Sequence, residues 1–142
     1  MNNLNLHRGF VLRQALVVIG LIAVAAIHLL DLRSKMEETP YLGVGYILVI
    51  ITALVLVERI VVGAKKIDFL AAAGLCLSVL VGFVVNRTVG MPGAMGDIGN
   101  WFEPLGLVSL VVEAVVAWHA LRIVQQGLIE PIQAQEESLI NS

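Results

Sequence analysis

The chain has 142 residues, a formal net charge of −2, 58% hydrophobic residues and 14% charged residues. Because soluble proteins carry roughly 25% charged residues, this composition excludes an ordinary soluble domain and is typical of a protein that places apolar segments in a bilayer. The small net charge offers no basic surface for nucleic acid, so none is predicted as a partner. The single cysteine, Cys76, excludes an intrachain disulfide.

Four apolar stretches follow one another, and each approaches the roughly 20 residues that a helix needs to cross the hydrocarbon core. We predict spans at residues 10–32, 40–62, 67–86 and 104–125. Helices are the expected form because backbone polar groups in lipid must find their partners within the same segment. The sequence therefore predicts an all-α integral membrane protein, a four-helix bundle that forms one transmembrane domain over residues 1–142.

Local signals mark the ends of these spans. Thr39 before Pro40 predicts a hydroxyl N-cap followed by proline at the first helical position, and Asp68 is placed to cap the third span. The polar composition of residues 127–142 predicts a short tail that is loose or lies at the membrane interface. Residues 23–25 (AVA) resemble a signal cleavage site, but the 17 uncharged residues around them are too many for a signal core, so we predict a retained first span.

The basic residues predict the orientation of the protein in the membrane. Six lie at the N-terminus, between the second and third spans, or at the end of the fourth span: Arg8, Arg13, Arg59, Lys65, Lys66 and Arg122. Three lie in the other two connections: Arg33, Lys35 and Arg87. This asymmetry predicts that both termini are cytoplasmic and that the connection between spans three and four is extracytoplasmic.

That connection, residues 87–104, is the longest polar interruption and is rich in glycine and proline. It also carries the apolar side chains of Val89, Met91, Trp101 and Phe102. A simple turn between antiparallel helices would need far fewer residues. We therefore expect the loop to fold back on the bundle as a lid, or to dock a partner.

Small residues predict how the last two spans pack. Gly74, Ser78 and Gly82 form a ladder at steps of four on span three, which would let a neighbouring backbone approach closely. Span four carries a matching row at steps of three and four: Gly106, Ser109, Glu113, Ala117 and Ala120. Spans three and four are therefore expected to lie against each other along these two rows.

Glu113 is the first candidate functional residue, because it lies nine residues into span four, about 13 Å from its outer end. A carboxylate at that depth is costly, so it should face the bundle interior and be paired or protonated. Depth counting predicts that His28, Tyr46 and Ser78 hold it and that Arg87 reaches in from span three. A network of hydrogen bonds that locks the helices without any ligand is an equally open interpretation. The candidate binding residues of this outer-half pocket are His28, Asp31, Tyr46, Ser78, Arg87, Asp97, Trp101, Glu103 and Glu113.

Metal binding is a weaker hypothesis. His28 and Asp31 share a helix face at spacing i, i+3, an arrangement that orients a metal ligand or a proton relay. Met91 and Met95 add soft ligands of the kind that copper prefers. The spacing fits no established metal motif, so these four are weak candidates, and the sequence identifies no cofactor.

The two histidines inside predicted spans lie near opposite membrane surfaces. His28 and His119 are separated by most of a roughly 30 Å core, so they cannot ligate one haem iron. His119 is instead predicted to pair with Glu58, near the inner end of span two.

Several segments resemble a group of small four-span bacterial membrane proteins of uncharacterised function. The resembling segments are EETPYLG at 37–43, RTVG at 87–90, PG at 92–93, DIGNW at 97–101 and EPLG at 103–106, together with Glu113. The resemblance implies a bacterial plasma-membrane protein whose outer side is the shared feature. It implies no activity and no catalytic residue.

The sequence favours a non-catalytic accessory or assembly subunit, with the lipid bilayer and other membrane protein subunits as its partners. The alternative is a binding or transport protein whose outward-facing polar pocket takes a small ligand, a proton or a metal ion. A third interpretation is an enzyme that uses His28 and Glu113 as acid and base.

Overall fold

The computed structural model describes residues 3–127 and 129–142. Over these residues the protein consists of helices and their connections, with no strand. The five α-helices are α1 (Asn3–Glu38), α2 (Pro40–Val62), α3 (Lys66–Thr88), α4 (Pro104–Gln125) and α5 (Ile129–Ile140), and a 3-10 turn covers Met95–Asp97. Helices α1 to α4 are long and apolar enough to cross a membrane. The predicted all-α, four-helix membrane bundle is confirmed.

The four long helices run up and down, so each is antiparallel to the next in the chain. Helix α1 packs against α2 and α4, and α3 packs against α4. Helices α2 and α3 pack least closely of the neighbouring pairs. The bundle is therefore tight along three of its seams and loose along the fourth.

The two ends of the bundle differ. We call residues 89–103, which connect α3 to α4, the cap, and the opposite end of the bundle the terminal end. The hydrophobic core lies in the terminal half, within residues 10–25 of α1, 53–60 of α2, 69–76 of α3 and 116–123 of α4. The half next to the cap holds the polar residues that the sequence singled out.

Helix bounds agree with the predicted spans for α2 and α4, whereas α1 extends beyond residues 10–32 at both ends. At its cap end the extra turns are polar, and Arg33 Nε lies 3.1 Å from Glu37 Oε1, an i, i+4 pair that favours the helical form. The tail contains the helix α5. Its position relative to a membrane interface stays a prediction.

The two predicted helix caps have different outcomes. Asp68 caps α3 as expected, because its Oδ2 accepts a hydrogen bond from the Lys65 backbone N–H at 3.2 Å. Its Oδ1 also lies 2.6 Å from Arg59 Nε. The predicted hydroxyl cap at Thr39 is wrong: its side chain makes no cap bond and instead donates to the Gly93 carbonyl oxygen at 3.5 Å. The Thr39 hydroxyl therefore bonds to the connection between α3 and α4 rather than to the first turn of α2.

The predicted ladder contact between α3 and α4 is wrong on the α3 side. Gly74 is exposed, and a Cβ at Gly74 or at Gly82 would meet no atom within 4 Å. Helix α3 instead buries Ala72, Ala73 and Cys76. These residues offer an equally small but more apolar face, and that face packs in the core. The α4 row does turn inward, with Ser109, Glu113, Ala117 and Ala120 all buried.

The predicted pairing of His119 with Glu58 is also wrong. Arg13 Nη1 donates to His119 Nδ1 at 3.5 Å, while Glu58 is exposed. The α1–α4 seam, which is closely packed, therefore brings His119 to the neighbour on α1 rather than to α2.

Helices α1 and α4 approach closely where Gly20 faces Val116, because a Cβ at Gly20 would overlap the Val116 side chain. We expect Gly20→Leu to force α1 and α4 apart and to destabilise the protein by about 1–3 kcal/mol. The measurement is the thermal unfolding midpoint by circular dichroism in detergent. Gly74→Leu is the matched control, since it makes the same change in open space. A midpoint for Gly20→Leu equal to that of the control would contradict the close packing of this seam.

Candidate binding cavity

The half of the bundle next to the cap contains a partly open cavity of about 290 Å³, to which all four long helices contribute. At about 30 Å³ per water molecule it has room for about ten waters or a small organic molecule. Much of its wall is apolar, including Leu42, Val49, Leu75 and Val79. A mostly apolar wall with a few polar groups is typical of a small-molecule site.

The cavity exists because α2 and α3 carry very small residues where they line it. Gly45 and Gly82 both line the cavity, and a Cβ at either position would meet nothing within 4 Å. Ser78 lines it as well and is exposed to the outside of the bundle. The loose seam between α2 and α3 is therefore a side opening of the cavity.

Glu113 lies in the cavity wall and is 0% exposed. Its Oε1 accepts a hydrogen bond from Ser109 Oγ at 2.6 Å. Its Oε2 has no hydrogen-bond partner among the residues that the structure describes. The predicted inward orientation agrees with this geometry, but the predicted partners do not: neither His28, Tyr46 nor Ser78 is hydrogen-bonded to Glu113.

Those three residues line the same cavity but are held by other groups. His28 Nδ1 lies 2.9 Å from the Val24 carbonyl oxygen, and its ring meets the Tyr46 ring edge to face at 4.7 Å between centroids. The Tyr46 hydroxyl donates to Asp31 Oδ2 at 3.3 Å. Ser78 Oγ donates to the carbonyl one turn back on its own helix, at 2.7 Å. His28 and Ser78 thus bond to carbonyls of their own helices, whereas Tyr46 bonds to a carboxylate on α1.

Arg87 closes the cap end of the cavity and is 4% exposed. Its Nη1 lies 3.0 Å from Asp97 Oδ1, and its Nη2 lies 2.5 Å from Glu103 Oε2. The guanidinium carbon is 4.9 Å from the centre of the Phe83 ring. A guanidinium buried in this way is stabilised by two carboxylates and one aromatic face, which ties the cap to the end of α3.

Asp97 is the acceptor at the centre of the cap. Its Oδ2 accepts from Asn86 Nδ2 at 2.8 Å and from Lys35 Nζ at 3.5 Å. Partial burial alone would raise the pKa of Asp97, but the Asn86 hydrogen bond and the positive charges of Lys35 and Arg87 outweigh it and hold the pKa below its usual value. Asp97 therefore joins α1, α3 and the cap in its ionised form.

Further contacts fold the cap back on the helix ends. The Tyr41 hydroxyl donates to the Pro92 carbonyl oxygen at 2.7 Å, and the Trp101 ring meets the Phe83 ring edge to face at 6.1 Å between centroids. Gly99 has a φ of +79°, a left-handed conformation that favours glycine. The cap is a folded element that covers the cavity end of the bundle.

Of the nine candidate residues, seven line the cavity: His28, Asp31, Tyr46, Ser78, Arg87, Glu103 and Glu113. Asp97 and Trp101 lie in the cap and contact residues that line the cavity: Lys35, Asn86 and Arg87 for Asp97, and Phe83 for Trp101. Whether these residues bind a ligand stays a prediction. Lys35 and Asn86 also line the cavity and were missed. Lys35 lies one turn beyond Asp31 on the same face of α1, a spacing that could have identified it.

The weak metal candidates are divided between two places. His28, Asp31 and Met91 line the cavity, whereas Met95 is an exposed residue of the cap. Over residues 3–127 and 129–142, no three His, Cys, Asp or Glu side chains come together as possible metal ligands. Metal binding stays a hypothesis, and no cluster of three such side chains supports it among the described residues.

Comparisons of the chain with protein-family models, with curated proteins and with solved structures find no match. The cavity and the cap are therefore the features from which a function can be argued.

The ion pairs of Asp97 predict a pH-dependent stability. Because the folded state lowers the pKa of Asp97, its contribution is complete above the unfolded pKa and is lost as pH falls through the folded value. We expect Asp97→Asn to cost about 1.5–3 kcal/mol at pH 7, the usual range for hydrogen bonds to charged groups. The difference from wild type should shrink below about pH 4, where an unperturbed aspartate becomes protonated. Thermal midpoints measured from pH 7 to pH 3 test this, and a difference that is constant with pH would contradict it.

Proposed function

We propose that this protein binds a small, largely apolar molecule that reaches the cavity from the membrane between α2 and α3. The observation that carries the proposal is the cavity itself, whose side opening is lined by Gly45, Ser78 and Gly82. A solute in the bilayer meets this opening directly. The apolar wall residues favour a ligand with a hydrocarbon body, because burying apolar surface against them stabilises the bound state.

The polar residues of the cavity favour ligand binding over the alternative that they only lock the helices together. The contacts among Arg87, Asp97 and Glu103 are explained by attachment of the cap. Glu113 is not explained in this way, because one of its carboxylate oxygens faces no donor in the described ranges. A buried carboxylate in a cavity wall is costly, and a bound ligand that donates to it would offset that cost.

A second candidate function is the accessory or assembly role that the sequence favoured. It is supported by the apolar side chains that the cap exposes, above all Phe102 at 86% and Val89 at 71%. Exposed apolar side chains of this size at one end of a bundle are typical of a surface that docks on another membrane protein. Neither residue lines the cavity, so the two functions are compatible.

In this proposal the protein lies in a bacterial plasma membrane with both termini in the cytoplasm and the cap outside. The orientation is supported by the six-to-three distribution of basic residues. The location is supported by the resemblance of the cap and of Glu113 to the small four-span bacterial proteins described above. The cavity would then belong to the outer half of the bilayer.

The orientation predicts which positions react with a thiol reagent that cannot cross membranes. We expect Gly96→Cys, in the exposed part of the cap, to be labelled on intact cells. Lys66→Cys, at the exposed start of α3, should react only after permeabilisation. Both changes are made with Cys76, which is buried, replaced by alanine. The reverse labelling pattern would place the cap in the cytoplasm.

Binding can be tested with 1-adamantanol, a compact neutral probe, and tryptophan fluorescence. Trp101 packs on Phe83, which lines the cavity, and Trp118→Phe removes the signal of the other tryptophan, which is exposed. We expect saturable binding in detergent that Gly82→Leu weakens by about tenfold or more, equivalent to about 1.4 kcal/mol, because the new side chain occupies the cavity.

Gly74→Leu is the matched control, since it adds the same side chain to the same helix outside the cavity. It should bind the probe as the parent protein does. Equal weakening by both substitutions would overturn the proposed function.

A further inference from the structure

We infer that the ligand of this cavity carries a protonated amine and that Glu113 receives it. The inference rests on the proposed function, because it requires that the cavity bind a molecule at all. It identifies the chemical class of that molecule as a compact lipophilic ammonium ion.

The first observation is the state of the Glu113 carboxylate. The side chain is 0% exposed and lines the cavity. Ser109 supplies one hydrogen bond to Oε1, and Oε2 has no donor among the described residues. Since a carboxylate oxygen is an acceptor, the complementary group on a ligand is a hydrogen-bond donor.

The second observation is the balance of charge around the cavity. Arg87 is held by Asp97 and Glu103, and Lys35 is held by Asp97 and by Glu38 at the surface. Asp31 and Glu113 both line the cavity, and neither forms an ion pair within the described part of the chain. When Glu113 is ionised, the charges left without an opposite partner are therefore negative.

This balance separates a cation from the other ligand classes. An anion in the cavity would face the carboxylates of Asp31 and Glu113, whereas the charges of Lys35 and Arg87 are already paired with carboxylates. The buried Nε of Arg87 has no hydrogen-bond partner in the described ranges, but its guanidinium charge is already balanced by two carboxylates. A neutral alcohol could donate to Glu113 but would leave its charge uncompensated in a low-dielectric site. An ammonium group supplies both the hydrogen bond and the opposite charge, and charge-assisted bonds of this kind are the stronger ones.

The apolar part of the cavity wall indicates the shape and polarity of the ligand outside its ammonium group. Leu42, Val49, Leu75 and Val79 line the same cavity as Glu113 with hydrocarbon. The Phe83 ring, which also lines the cavity, is covered on one face by the Arg87 guanidinium. A compact apolar body with one terminal ammonium group fits this arrangement of a polar point and an apolar wall.

Three probes with the same hydrocarbon cage and different head groups test the inference: 1-adamantanamine, 1-adamantanol and adamantane-1-carboxylate. Each is titrated at pH 7 into the Trp118→Phe protein in detergent, with Trp101 fluorescence as the readout. We expect the amine to bind about tenfold or more tightly than the alcohol, as a charge-assisted bond predicts, and the carboxylate to bind most weakly. An alcohol that binds as tightly as the amine would overturn the inference and leave the proposed function standing. Failure of all three probes would instead contradict the proposed function.

The assignment to Glu113 is tested by Glu113→Gln, which keeps an acceptor for Ser109 and removes the charge. We expect it to lower the affinity for the amine to about that for the alcohol. Glu37→Gln is the control for general acidity, because Glu37 is exposed and pairs with Arg33 outside the cavity. The assignment fails if the Glu113→Gln protein still prefers the amine to the alcohol. It also fails if Asp31→Asn abolishes this preference and Glu113→Gln does not. If Glu113→Gln does not fold, the three-probe series on the parent protein still decides whether the ligand is an ammonium ion.

An ammonium group could come from a free amine or from an ethanolamine lipid headgroup. Nanodiscs of phosphatidylcholine, whose headgroup has no N–H donor, are compared with nanodiscs that also contain phosphatidylethanolamine. Weaker binding of 1-adamantanamine in the second set identifies the lipid as the natural competitor. Equal binding in both sets identifies a free amine, and both outcomes retain the ammonium site.

Discussion

The buried guanidinium of Arg87 constrains everything at the cap end of the bundle. Removing such a charge from water costs several kcal/mol unless carboxylates surround it at hydrogen-bond distance. Here both carboxylates, Asp97 and Glu103, come from the cap, so the ion pairs of Arg87 hold the cap in position. Asp97 also accepts hydrogen bonds from Asn86 and Lys35, so α1 and α3 are both joined to this carboxylate. The roof of the cavity is thus held by electrostatics rather than by apolar packing.

The two halves of the bundle follow different physical rules. In lipid, helix association depends on close van der Waals packing, since hydrocarbon surrounds the helices on every side. The terminal half follows this rule, and Gly20 allows α1 and α4 to approach to the point where a Cβ would overlap Val116. In the cap half the α2–α3 seam departs from it, with Gly45 and Gly82 beside unfilled space. A tight half supplies the stability that permits a cavity in the other half.

Composition and apolar run length were sufficient to predict the four spans, because the bilayer thickness and the need to satisfy the backbone leave few alternatives. The inward orientation of Glu113 was predictable for the same reason, namely the cost of its charge in lipid. Its partner was not predictable, because Ser109, one turn back on the same helix, donates to Oε1, and such a neighbour is closer than a residue across the bundle. The Gly74 ladder failed because Ala72, Ala73 and Cys76 form a second small face, and spacing alone does not distinguish the two. Lys35 was missed because it was considered only as an orientation signal.

The attachment points of the cap have a kinetic consequence. Lys35 and Tyr41 connect the cap to the α1–α2 hairpin, and Asn86 and Arg87 connect it to α3. The cap therefore runs as a strap across the two helix pairs that flank the side opening. If the opening widens by rotation about the α1–α4 seam, these bonds must stretch or break. The strength of the strap would then set how fast molecules exchange with the bilayer, independently of how tightly they are held.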